Sequence, residues 1–249
     1  MTLHEISSGL KARGRYALAG HLGTAFGATV TYLLVSFLLI RMVSNVFSGS
    51  DVLSFVLYEL MTWLILTFAG LFSYGLCRIF MSWQYGQKAE FPDLFAGFHE
   101  STNTILEIQA VLSGAEVLAL LPSGIAATYL AGSYALPVTI LLYVLGALFA
   151  LYLQLTYGLS YFILLDYPQG KPRQVLKASR KMMKGNRGVL FYLYLSFIPL
   201  FLLGILSLFI GDVYVLSYFY STEAAFYRSL MAIRSGNYRK APSGDVQGV

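Results

Sequence analysis

The chain has 249 residues, 57% hydrophobic and only 12% charged, with a mean hydropathy of +0.66 and a formal net charge of +5. A water-soluble domain carries roughly a quarter of its residues as charged side chains, so this composition excludes that class and makes the bilayer the solvent. A single cysteine, Cys77, excludes an intrachain disulfide and a cysteine-based zinc cluster.

Residues 2–18 place Leu3, Ile6 and Leu10 at helical spacing beside Lys11, Arg13 and Arg15, the pattern of an amphipathic helix at the inner membrane interface. Residues 1–18 are therefore an N-terminal cytoplasmic segment. The small pair Ala17 and Ala19 precedes the apolar run instead of following it, which predicts an uncleaved first span and no signal peptide. That span runs from Ala19 to Ile40 and is closed by Arg41. Gly23 and Gly27 form a GxxxG pair on it, a surface for close helix packing or, alternatively, for homodimerisation.

A second, over-long span covers Leu53 to Trp83, followed by a polar loop at 84–104. The third runs from Ile105 to Leu121, after which Pro122, Ser123 and Gly124 supply either a turn or a bend in a continuing helix. Residues 117–165 hold no Asp, Glu, Lys or Arg, room enough for two spans of about 20 residues. The fourth span is predicted from Pro137 to Leu165, with Gly146 and Gly158 as possible bends.

The basic segment 166–188 separates the fourth span from the fifth, Val189 to Ile210, in which Pro199 predicts a kink. Within it, residues 172–185 predict a short amphipathic helix with Pro172 at its start and Gly185 at its end. Arg173, Lys177, Arg180, Lys181 and Lys184 would lie on its outer face as ligands for anionic lipid headgroups. The last apolar segment, Val213 to Met231, contains Glu223 and Arg228 and reads as a sixth span, although hydropathy alone also allows a re-entrant or surface helix. Charge decides for six, because every Lys and Arg except Arg41 then lies inside. Residues 19–231 thus form an all-α polytopic transmembrane bundle of about six helices, and 232–249 a disordered cytoplasmic tail.

The stretch from Leu176 to Phe197, LKASRKMMKGNRGVLFYLYLSF, the opening ISSGLKARGRYALAG and the closing AAFYRSL together resemble a family of bacterial multi-pass membrane proteins, domain of unknown function 975. The resemblance is most specific at Ser179 to Gly185. It departs where Pro122-Ser123-Gly124 stands for a Pro-Gly pair and Ile198-Pro199 for a Gly-Trp. What it implies is a six-helix protein of the bacterial plasma membrane, Gram-positive in origin, with no assigned catalytic residue.

The sequence carries no enzyme signature. His4-Glu5 lacks the second histidine of a zinc helix, Ile210-Gly211-Asp212 and Ser113-Gly114 lack the glycines of intramembrane protease motifs, and no phosphate-binding loop occurs. No metal and no cofactor are expected. The informative polar groups are acids within the spans, which usually face a cavity or a partner. Glu59 and Glu116 fall at similar depth, and Gln109, Ser113 and Glu116 follow i, i+4, i+7 spacing, so these four define a candidate outer polar pocket. Packing or hydrogen bonding within the bundle is the alternative for both acids, and Glu223 is expected to pair with Tyr227 or Arg228.

The expected function is non-enzymatic: binding, transport or protection against a small cationic or amphipathic solute or peptide. Its rival is a scaffold acting through the basic cytoplasmic face, and an intramembrane enzyme comes third. The expected partners are the bilayer, its anionic lipids and that solute, with no nucleic acid, and the oligomeric state is open. In a background lacking Cys77, a cysteine at Ser44 should be labelled from outside the cell and one at Ser243 only after permeabilisation. External labelling at Ser243 would remove the even number of crossings.

Overall fold

A computed structural model describes residues 3–47, 51–130, 132, 134–207 and 210–234. Most of the predicted tail, including Ser243, lies outside them. Nine α-helices and one 3₁₀ helix account for the described residues, with no strand among them: α1 (Leu3–Leu18), α2 (Leu22–Val46), α3 (Val52–Gln84), the 3₁₀ helix (Phe91–Phe98), α4 (Thr102–Tyr129), α5 (Ala135–Tyr157), α6 (Ser160–Asp166), α7 (Pro172–Met183), α8 (Arg187–Leu206) and α9 (Ile210–Arg234). The chain is an all-α, polytopic transmembrane bundle. Among the described residues, five stretches are long and apolar enough to cross: α2, α3, α4, the run Ala135–Asp166 that joins α5 and α6, and α8.

The sixth predicted span differs from these five. α9 has the length of a span at 25 residues, but it falls short of their apolar composition. The physical reason is that its polar groups do not meet lipid. Ser217, Ser221, Thr222 and Glu223 are all buried, and every residue from Ser221 to Tyr227 is enclosed by neighbouring helices.

α1 is amphipathic as predicted, and its buried stripe of Ser7, Leu10, Gly14 and Leu18 packs on α9, α8 and α3. Gly14 allows the closest approach, since a Cβ there would lie 2.5 Å from the Thr222 hydroxyl. Ser221 Oγ donates to the Gly14 carbonyl at 2.9 Å, and Tyr218 Oη donates to the Lys11 carbonyl at 3.1 Å. Lys11 in turn donates to the Ser196 carbonyl at 2.8 Å and lies over the Phe197 ring. Burial, reinforced by Arg15, lowers the pKa of its ammonium.

The remaining boundaries follow local chemistry. Asp51 caps α3 by accepting from the backbone N–H of Ser54 at 3.0 Å and from its hydroxyl at 2.7 Å. At 33 residues α3 is about 50 Å long against a hydrocarbon core of ~30 Å, so it projects beyond the membrane. Its far end holds Arg78, which pairs with Asp93 and Glu100. The predicted loop 84–104 contains the 3₁₀ helix, which packs on α3. A Cβ on Gly75 would run into the Leu94 carbonyl and one on Gly97 into that of Leu71. The third span does not turn at Pro122: α4 continues through it to Tyr129. Gly158 does mark a break, between α5 and α6, whereas Gly146 is where α5 closes on the Ala119 carbonyl of α4.

The core is not centred. Buried positions in α2 stop at Thr29, those in α3 begin at Thr67, and α5 buries only Gly146 before Leu153. Tight packing therefore lies at the end of the bundle carrying α1, the 3₁₀ helix and the basic α7, and the opposite end is loosely packed. Gly75→Ala should lower the melting temperature in detergent, with an overpacking cost of about 1–3 kcal/mol. Gly23→Ala, where an added Cβ meets nothing within 4 Å, should leave it unchanged.

Candidate functional site

α3 and α4 pack in an antiparallel register, and two of the predicted polar residues, Gln109 and Ser113, lie in the seam between them. Thr67 and Ser113 hydroxyls lie 3.2 Å apart, Trp63 Nε1 donates to the Ala110 carbonyl at 3.0 Å, and Gly70 lets Gln109 pack directly on α3. Tyr161 of α6 donates to Gln109 Oε1 at 2.5 Å. At 100° per residue, Glu116 falls on the stripe of Gln109, Ser113 and Gly124, and Glu59 on the facing stripe of Phe55, Trp63 and Gly70. Glu59 reaches α4 beside Gly124, whose added Cβ would sit 3.4 Å from Glu59 Oε1.

The four residues predicted to form a pocket therefore divide. Gln109 and Ser113 close the floor of the seam through internal hydrogen bonds, and Ser113 is fully buried. Glu59 and Glu116 stand above them in the loosely packed half, each half-buried. The ion pairs found among the described residues involve Arg78, and neither acid takes part in them.

Glu223 pairs with neither Tyr227 nor Arg228, the partners expected from the sequence. Tyr227 lies one turn along on the same face but donates to Asp166 Oδ2 at 2.5 Å, while Arg228 donates to the Gln84 carbonyl and stacks on Tyr85. Glu223 instead accepts from Tyr194 of α8 at 2.7 Å and is only 2% exposed. Gly158 lets it in, since a Cβ at the α5–α6 break would lie 3.4 Å from both Glu223 Oε1 and Gln154 Nε2. Cys77 of α3 and Tyr220 of α9 lie within electrostatic range of the same carboxylate, and Tyr32 of α2 lies beside Tyr220.

At the basic end, Arg78, Met81, Ser82, Tyr85, Gln87, Leu165 and Asp166 line a cleft of ≈ 440 Å³. Its Asp166 wall is the one bonded to Tyr227. The sequence offered little warning of this arrangement. Asp166 simply ended a charge-free run, and the tyrosines read as packing or headgroup anchors.

α7 forms over Pro172–Met183, with Gly185 in the left-handed region at φ 89°. Val175, Ser179, Met182 and Met183 are buried, and Ser179 Oγ donates to the Thr156 carbonyl at 3.0 Å, fixing the helix to the end of α5. Arg173, Lys177, Arg180, Lys181 and Lys184 are all exposed. Of the GxxxG pair, Gly27 lies in ordinary contact with the Phe91 ring and Gly23 meets nothing within 4 Å. No group of three or more potential metal ligands occurs among the described residues.

A family model described as protein of unknown function, DUF975, matches residues 5–234. The chain belongs to this family. The match to DUF975 takes in α1 from its third residue through α9 and every site residue described above, leaving only the ends of the chain outside. No curated protein and no solved structure matches the chain.

Proposed function

We propose that this DUF975 protein binds a small cationic or amphipathic solute at Glu59 and Glu116, in the α3–α4 seam of a bacterial plasma membrane, without catalysing a reaction. The supporting observation is the placement of two acids on facing helical stripes, in the loosely packed half of the bundle, with no basic side chain paired to either. An acid at membrane depth is costly unless it faces a cavity or a partner, and a cationic solute supplies the partner. Trp63 and Phe55 on the α3 stripe offer an apolar and aromatic wall for the rest of such a molecule. The concentration of Lys and Arg at the opposite end supports an orientation in which both termini are cytoplasmic and the acids open outward. Ethidium binding to the purified protein should weaken about tenfold in Glu116→Gln or Glu59→Gln, equivalent to roughly 1.4 kcal/mol. Unchanged binding in both would remove the site.

A second reading, a scaffold acting on anionic lipid through the basic face, is favoured by α7. Its apolar side is spent on the protein, and its five cations are left exposed. Each such charge near an anionic leaflet is worth about 1 kcal/mol. Replacing Lys177, Arg180, Lys181 and Lys184 by Gln should reduce anionic lipid co-purifying with the protein while leaving zwitterionic lipid unchanged. Equal retention of both would exclude this role.

A further inference from the structure

Two tyrosine–carboxyl contacts, Tyr227 on Asp166 and Tyr194 on Glu223, sit one helical turn apart along α9, and the first opens onto the cleft at the basic end. Glu223 is the enclosed member. The groups around it are Tyr194 from α8 and Gln154 from α5, with Cys77 from α3 and Tyr220 from its own helix within electrostatic range. α2 contributes Tyr32 only through Tyr220. α1, the other helix against α9, presents Gly14, and its Lys11 ammonium is engaged at the Ser196 carbonyl. No cation among these answers the carboxylate.

A buried carboxylate with one neutral donor and no countercharge is too costly to persist, so a positive charge must accompany it. A hard metal cation takes roughly six or more oxygens, and this pocket offers one carboxyl group, two tyrosine hydroxyls and one amide, so the charge is a proton. A second polar series lies on the far side of Cys77: Tyr161 bonds Gln109, Ser113 Oγ donates to the Gln109 carbonyl, and the Ser113 hydroxyl, on the helical stripe that carries Glu116, lies 3.2 Å from that of Thr67.

We propose that Glu223 is a proton-binding carboxyl, held by Tyr194 and served from the Asp166 cleft, and that its proton exchanges with the cation bound between α3 and α4. The first half stands on the burial and hydrogen bonding of Glu223, and the exchange rests on the seam being a cation site. The Tyr194 hydroxyl donates to the carbonyl oxygen of the protonated acid, and the acid's own proton leaves toward the Asp166–Tyr227 pair when a cation arrives.

Infrared difference spectroscopy of the full chain in nanodiscs tests the proton site. The wild type should show a protonated-carboxyl stretching band near neutral pH that Glu223→Gln loses. Tyr194→Phe should keep the band and shift it to higher frequency, because the carbonyl loses its donor, and this variant decides the matter if Glu223→Gln does not fold. A band absent from the wild type, unmoved by Tyr194→Phe, or retained in Glu223→Gln would overturn the assignment. Adding ethidium to weakly buffered nanodiscs should release protons from the wild type and none from Glu223→Gln. Ethidium binding to the wild type without proton release would overturn the exchange and leave the seam as a binding site. If ethidium does not bind at all, the seam and the exchange fall together, and the infrared band alone decides Glu223.

Discussion

Everything at the basic end depends on enclosing α9. This helix carries Ser217, Ser221, Thr222 and Glu223 through the bundle, and Ser217, Ser221 and Glu223 could not face lipid without losing hydrogen bonds to other helices. Each has a designated partner: Thr29 for Ser217, the Gly14 carbonyl for Ser221, the helix's own Tyr218 carbonyl for Thr222 and Tyr194 for Glu223. α1, α2 and α8 are thereby fixed around it, and Gln84 of α3 adds a fourth anchor by donating to the Ser221 carbonyl. Polar bonding, not apolar burial, selects this arrangement, because lipid already satisfies leucine and phenylalanine.

The same requirement explains the asymmetry of the bundle. Where α9 is enclosed, glycines at 14, 75 and 97 bring backbones together and large aromatics such as Tyr74, Phe80 and Phe162 are sealed. Toward the other end the helices bury little of one another, and Glu59 and Glu116 occur there. An acid in a loosely packed seam has access to a solute, whereas an acid in the sealed half has access only to something as small as a proton. One bundle thus offers two carboxylate environments set by packing.

Much of this was legible in the sequence. Hydropathy and charge bias gave the bundle and the five clear spans, and the spacing of Val175, Ser179 and Met182 gave α7 and its exposed cations. The acids in the seam were visible as isolated charges in apolar runs. What stayed hidden was pairing between segments distant in the chain. Glu223 has suitable partners at i+4 and i+5, but it bonds Tyr194, 29 positions away, because α8 and α9 pack as a hairpin. The 3₁₀ helix was likewise concealed in a polar stretch, and its seat depends on the absence of a side chain at Gly75, which reads as an ordinary helix glycine until Leu94 is seen against it.

The contact between Gly14 and Thr222 joins α1, the earliest of the described helices to be synthesised, to α9, the latest. Synthesis proceeds at 5–20 residues per second, so α1 waits on the order of 10–40 s for α9 to arrive. Throughout that interval the Gly14 carbonyl lacks its Ser221 donor and Gln84 lacks its acceptor. The bundle can therefore close only once α9 has been made, and a chain truncated before α9 would leave the Gln84 amide without its acceptor, within reach of the quality-control proteases of the membrane.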